Sequence, residues 1–216
     1  MKRTLEKEIM DDKEQVTAYA RADFSTTNNL FIAKVSRYNR KNILDLGCGP
    51  ADIPIILAGN NPNIRITAVD ASSEMLDYAR KQIKSRKLDK NITLVKGKIP
   101  GLAKSLNNRR YDFIISKDLL HHLPQPAPFW EEIKKLSNKG TAVMVMDLIR
   151  PDNKEQARKM VESGAKNEAK ILKTDFYNSL LAAFTIKEIK QQLKTAKLNL
   201  KVENIGSRHF LVKGKM

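Results

Sequence analysis

The chain has 216 residues, 41% of them hydrophobic, which suits one domain with a core large enough to need no covalent staples. A single cysteine excludes an internal disulfide, and no segment approaches the ~18 uninterrupted apolar residues of a membrane span, so the expectation is a soluble, cytoplasmic protein. The formal net charge of +16 raises nucleic acid as a partner, but the excess is spread: +2 over residues 1–40, +7 over 41–150 and +7 over 151–216.

In chain order, residues 4–38 read as two helices with Ala18, Ala22, Ile32 and Val35 facing inward. Ser25 or Thr26 offers an N-cap for the second. Strand-length apolar runs then alternate with helical stretches: Asn42–Leu46, Ile64–Val69, Ile92–Lys96, Phe113–Ser116 and Thr141–Asp147. Such alternation predicts an α/β fold, a parallel sheet with helices on both faces. The densest basic stretch, Arg80, Lys81, Lys84, Arg86, Lys87 and Lys90, ends the helix after the second strand, where cations also complement the helix dipole. It reads as a solvated helix end. Beyond Pro151 come a polar helix from Lys154, a second over Tyr177–Ala183, and a third from Thr185, capped with Glu188 three residues on. Leu200–Ile205 and His209–Lys213 are two further strand-length runs, separated at Gly206-Ser207, and are expected to pair as a hairpin. The expected organisation is a helical segment over 1–40 and one sheet domain over 41–216, with a helical insertion at about 150–185.

The first strand leaves through L-D-L-G-C-G-P-A-D, residues 44–52, and the second reaches an acid at Asp70. Gly47 and Gly49 let the backbone turn sharply and approach a ligand that any Cβ would push away. Asp70 follows Gly49 by 21 residues, close to the roughly 20 at which nucleotide-binding folds place a ribose-binding acid. No glycine stands three residues after Gly49; Asp52 is there instead and would repel a diphosphate. Asp45 adds a second negative charge near the turn and suits a cationic amino-acid moiety.

This D-x-G-x-G opening, followed by V-D-A-S-S-E-M-L at 69–76, resembles the class I S-adenosylmethionine-dependent methyltransferases. The likeness continues through V-K-G-K-I-P at 95–100, Y-D-F-I-I-S-K-D-L-L-H-H-L at 111–123, similar to the ubiquinone and menaquinone methyltransferase group, G-T-A-V-M-V-M-D-L-I-R-P at 140–151 and the helix at 184–198. It departs at Lys98, where the family often has an acid, and at Lys117, where that group often has asparagine. The resemblance implies a Rossmann-like, seven-stranded, mostly parallel sheet with an antiparallel last strand. S-adenosylmethionine becomes the expected cofactor and S-adenosylhomocysteine its product. The implied cofactor contacts are Asp45, Gly47, Cys48, Gly49, Asp70, Ala71, Met75, Gly97, Lys98, Ile99, Ser116 and Lys117. It also makes residues 1–40 an N-terminal lid, with Tyr19, Asp23 and Phe24 as lid residues, and Arg150, Tyr177 and Phe184 of the insertion as candidates facing the substrate. For these side chains, ordinary packing is the competing explanation.

A sulfonium is already an activated methyl donor, so alignment supplies much of the acceleration. A base becomes useful for a hydroxyl, an acidic carbon or a protonated amine. His121 and His122 follow the fourth strand, on the carboxyl edge where such sheets bind ligands, and one of them is expected to face the acceptor. No cysteine or acid stands at ligand spacing beside them, so no metal is expected. The leading expectation is methyl transfer to a small-molecule acceptor. An RNA methyltransferase, motivated by the charge, and a non-catalytic cofactor-binding protein are the alternatives. Against RNA, the fourth-strand exit lacks the N/D-P-P-Y/F of amino-methylating enzymes. The acceptor and the oligomeric state are not legible.

Overall fold

A computed structural model describes residues 1–6 and 11–216. Residues 7–10, part of the stretch expected to be helical from residue 4, lie outside the described residues. Two N-terminal helices, α1 (Lys13–Arg21) and α2 (Ser25–Val35), precede β1 (Asn42–Leu46), α3 (Asp52–Asn60), β2 (Arg65–Asp70), α4 (Ser73–Ser85) and β3 (Ile92–Lys96). A short α5 (Leu102–Ser105), β4 (Tyr111–Lys117), a 3-10 turn (Leu120–His122), α6 (Ala127–Lys135) and β5 (Ser137–Leu148) follow. Helices α7 (Lys154–Gly164), α8 (Lys170–Ala182) and α9 (Ile186–Thr195) lead to the hairpin β6 (Lys201–Ile205) and β7 (His209–Lys215).

The seven strands lie in the order β3-β2-β1-β4-β5-β7-β6, parallel from β3 to β5 and antiparallel at β7 and β6. The expected seven-stranded, mostly parallel sheet is therefore present. Both faces of its centre are covered: Phe113, Ile114 and Ile115 of β4 are fully buried although neighbouring side chains point to opposite faces. Phe113 and Ile115 pack with α2, α3 and α4, whereas Leu44, Leu46 and Ile114 pack with α6 and α9 around Trp130. Because the chain runs outward from β1 to β3 and then returns to β4 on β1's other side, a crevice opens at the carboxyl ends of β1 and β4.

Local details differ from the sequence expectation. Helix α2 has no side-chain cap from Ser25 or Thr26; Phe24 is its N-cap residue, and Asp23 Oδ1 accepts from the Ser25 N–H at 2.8 Å. Of the expected inward positions, Ile32 and Val35 are buried but Ala18 and Ala22 only half-buried, because Val16 and Phe31 take the inner places. Helix α8 begins at Lys170, seven residues before the expected start at Tyr177; its first turns also carry apolar residues, Ile171, Leu172 and Phe176, with Leu172 buried. The Thr185–Glu188 capping box is present.

The loop after β3 is held by a buried acid. Glu132 of α6, 2% exposed, accepts from the Gly101 N–H at 3.1 Å and the Ala103 N–H at 2.6 Å, satisfying donors at the start of α5. Glu132→Ala leaves both donors without a partner and should cost about 2–4 kcal/mol in urea denaturation, with Glu132→Gln losing less because one acceptor remains.

Candidate active site

The turn after β1 is knotted onto the end of β2. Gly47 N–H and Cys48 N–H both donate to the Val69 carbonyl at 2.9 Å, and Gly49 N–H donates to Asp70 Oδ2 at 2.8 Å. Asp70 Oδ1 accepts from Ser72 N–H at 2.9 Å, so the carboxylate is aimed by two backbone donors and keeps a further lone pair on each oxygen. Gly47 has φ +73° and Gly49 φ +52°, both in the left-handed region. A Cβ on Gly47 would stand 2.9 Å from Leu119 Cβ, whereas one on Gly49 would meet nothing within 4 Å.

One pocket occupies the crevice. Its floor is Asp45 and the glycine turn with Cys48; one wall is Asp70, Ala71 and Met75, and a second is Gly97, Lys98, Ile99 and Leu102. Tyr19, Phe24 and Asn28 line it from the N-terminal helices, and Lys117, Asp118, Leu119 and His122 from the β4 exit. Tyr19 and Phe24 rest ring against ring, centroids 4.6 Å apart. Cys48 is buried, and burial pushes its thiol well up, as suits a packing residue.

The electrostatics are dominated by desolvated acids. Burial, with Asp70 nearby, pushes the Asp45 carboxyl up to about 7, against the pull of Lys117, and its Oδ2 has no hydrogen-bond partner among the described residues. Burial likewise raises Asp70, opposed by its backbone donors. Lys117 pairs with Asp118, which it holds below the usual carboxylate range despite burial.

Several expected site residues sit elsewhere. Ser116 is fully buried and ties β4 to β1 through its hydroxyl, donating to the Leu46 carbonyl at 2.8 Å, so it faces no pocket. Asp23 is exposed and spends its carboxylate on Ser25. Arg150 is buried between the Ala183 carbonyl, 3.1 Å from Nη1, and Glu188, 2.7 Å from Nη2. Tyr177 packs under α7, and Phe184 is core covered by the Arg3 guanidinium 3.9 Å above its ring. Each was singled out by helical spacing or family position, and neither signal distinguishes a pocket wall from core. Asn28, Asp118 and Leu119 line the pocket without having been expected: no motif marks Asn28, and Asp118 and Leu119 stand within the motif at 111–123 between the residues it singles out.

The two histidines divide. His122 lines the pocket; His121 does not and is 3% exposed. His121 Nδ1 lies 2.5 Å from Asp147 Oδ1, and its backbone N–H donates to Asp147 Oδ2 at 3.2 Å. Burial pulls the His121 imidazole down, but Asp147, with Glu6 and Asp118, pushes it up to about 9. The N-terminal residues reach the same place: Thr4 N–H donates to the Leu181 carbonyl at 3.0 Å, and Arg3 to the carbonyls of His121, Leu123 and Ala182.

The methyltransferase domain family matches residues 38–205. The ubiquinone biosynthesis O-methyltransferase of Paraburkholderia phytofirmans is 25% identical over 181 residues, 80% of this chain and 72% of that protein. A malonyl-[acyl-carrier protein] O-methyltransferase of Acetivibrio thermocellus is 28% identical over 116 residues, 53% of this chain and 38% of that one. The chain thus spans well under half the length of some curated relatives it matches. Among solved structures, a SAM dependent methyltransferase from Aquifex aeolicus superposes with a TM-score of 0.64 at 19% identity, over 94% of this chain and 98% of that one. The plantazolicin methyltransferase BpumL, solved with SAH, gives 0.69 at 16%, over 94% and 91%. These two establish likeness of fold. The chain belongs to the methyltransferase domain family, in the class I, S-adenosylmethionine-dependent group that its motifs resemble.

The two glycines allow a clean comparison, because both have positive φ and only Gly47 is crowded. Gly47→Ala should lose about 1–3 kcal/mol more stability than Gly49→Ala in chemical denaturation, the difference being the clash with Leu119.

Proposed function

We propose that the chain transfers the methyl group of S-adenosylmethionine to a small-molecule acceptor bearing a hydroxyl, an acidic carbon or an amine. The observation that carries this is one pocket with Asp45 and Asp70 flanking a glycine turn at one end and His122 at the other. The residues fit the cofactor. Gly49 leaves open the space a Cβ would fill, Asp70 has lone pairs to spare for two ribose hydroxyls, and the unpartnered Oδ2 of Asp45 suits an ammonium. When bound, the sulfonium supplies an already activated methyl group.

In this reading Gly97, Lys98, Ile99 and Leu102 flank the base, Ala71 and Met75 lie along the nucleoside, and Tyr19 and Phe24 act as a lid that excludes water. Lys117 neutralises Asp118 and moderates the charge beside Asp45. His122 contacts the acceptor. Its Nδ1 faces Glu6 at 3.1 Å, so the other ring nitrogen is the one offered to the acceptor's proton. His121 is a positioning residue: Asp147 takes both its ring and backbone N–H and so clamps the turn that carries His122. The relatives named for ubiquinone and malonyl-acyl-carrier-protein methylation support the O-methyl, small-acceptor reading.

Calorimetry with S-adenosylhomocysteine tests the cofactor end. Asp70→Ala should weaken binding by ~1–3 kcal/mol, because hydrogen bonds to a charged acceptor are lost. The Asp45 carboxyl sits near 7 in the free protein and must be ionised to hold an ammonium. Affinity should therefore be highest above that pH and fall by up to about tenfold per unit below it, with a proton released on binding. Asp45→Asn should weaken binding and flatten this dependence; an unchanged profile would exclude the assignment.

Once an acceptor is found, His122→Gln should lower turnover roughly 100-fold with S-adenosylhomocysteine affinity kept, whereas His121→Gln should chiefly lower the melting temperature. Full turnover in the folded His122 variant would leave alignment alone as the catalytic device. The charge of +16 favours RNA as a second reading. A saturable complex with transfer or ribosomal RNA that survives ~0.15 M salt would sustain it, whereas binding that collapses with salt reports only the basic surface.

A further inference from the structure

We propose that Glu6, His121 and His122 form a site for a divalent transition-metal ion of the zinc type, which fastens the N-terminal residues onto the turn beside the pocket. The three side chains come from places 115 residues apart in sequence, yet their donor atoms all lie within 4.8 Å of one another. Glu6 Oε1 stands 3.5 Å from His121 Nε2 and 3.1 Å from His122 Nδ1. Donors held tetrahedrally at 2.0–2.1 Å from a zinc ion stand about 3.3 Å apart, so these spacings suit a shared ion.

Four further observations point to a cation. Glu6 Oε1 and His122 Nδ1 are buried and make no hydrogen bond among the described residues, despite their proximity. Such orphaned atoms are costly unless something unites them. His121 carries the outer support that metal-bound imidazoles have: Asp147 at 2.5 Å from Nδ1 holds a proton on that side and turns Nε2, which gives up its own proton when the ion binds, toward Glu6. The other Glu6 oxygen, Oε2, accepts from Ser179 Oγ at 3.3 Å, which orients the carboxylate. The surroundings are also acidic, with Asp147 and Asp175 close by and Asp175 Oδ2 likewise unpartnered. Two imidazoles and one carboxylate leave a fourth position for water or an acceptor oxygen, and favour zinc, cobalt or nickel over calcium or magnesium.

A metal on Nδ1 of His122 leaves the proton on its other ring nitrogen. The loaded form then has no proton acceptor at His122, so the site would switch off base-assisted transfer. Metal binding is measured without any acceptor, so failure of this site and failure of the base assignment are distinguishable.

The test is a titration of the full chain, freed of metal by chelation, with zinc by calorimetry and with cobalt by visible absorption. One equivalent should bind, with the intense bands of tetrahedral cobalt. Glu6→Ala and His122→Gln should each weaken zinc at least roughly tenfold, and Asp147→Asn, which weakens the support of His121 without removing a ligand, roughly 10–100-fold. Glu6→Ala lies outside the sheet core, so its fold, checked by circular dichroism, keeps the comparison valid even where Asp147→Asn does not fold. Zinc should also slow amide exchange at Thr4, whose N–H donates to Leu181. The chain has only three histidines and one cysteine, the latter buried, so His209→Gln serves as the control and should leave affinity unchanged. Equal zinc affinity in the wild type, Glu6→Ala and His122→Gln would overturn the site, as would octahedral cobalt bands or loss of binding in His209→Gln.

Discussion

Everything at the pocket depends on how the end of β2 holds the turn leaving β1. Two consecutive N–H groups, Gly47 and Cys48, converge on one carbonyl, that of Val69, and the third, Gly49, reaches the side chain of Asp70. Only a backbone with positive φ at both glycines can point three amides this way. The same bonds bring Asp70 close enough to Asp45 to raise the cost of the Asp45 charge. That cost makes the pocket receptive to a ligand that offers hydroxyl donors and a cation.

The opposite wall is held by different means. Leu119 fills the space that the missing Cβ of Gly47 leaves, so the β4 exit and the β1 exit close on each other by packing. Beyond it, the turn bearing both histidines is clamped from below by Asp147 and from above by Arg3, whose guanidinium serves four backbone carbonyls and stacks on Phe184. A charged side chain used this way satisfies carbonyls that the irregular backbone cannot pair within itself. The acceptor end of the pocket is therefore built by the sheet and by the first residues of the chain together.

The basic surface has a smaller part in this arrangement than its size suggests. Many of the lysines and arginines lie on exposed helix ends such as that of α4, while the buried charges of the pocket floor are the acids Asp45 and Asp70, with Lys117 already paired to Asp118 and Lys98 at the exposed wall. Two separate electrostatic regimes coexist: a solvated positive exterior, screened by salt, and a desolvated negative interior, which is not.

By itself the sequence determined the alternating sheet, the glycine turn, the acids at its two flanks and the reversal at the last hairpin. These are legible because they are local: strand runs, a pair of glycines and the capping box at Thr185 act within a few residues. The tertiary structure alone decided which side chains meet. Ser116, Arg150, Tyr177 and Phe184 stand at plausible positions in the chain, yet carbonyls hold the first two inside the fold, Phe184 joins a core cluster and Tyr177 packs half-buried against another. His121 and His122 are chemically equal in the sequence; only the arrival of Asp147 on one made them different. Glu6 carries no motif at all. It joins the histidines because Arg3 and Thr4 find carbonyls on α8 and on the turn, a meeting between segments more than a hundred residues apart that no local pattern encodes.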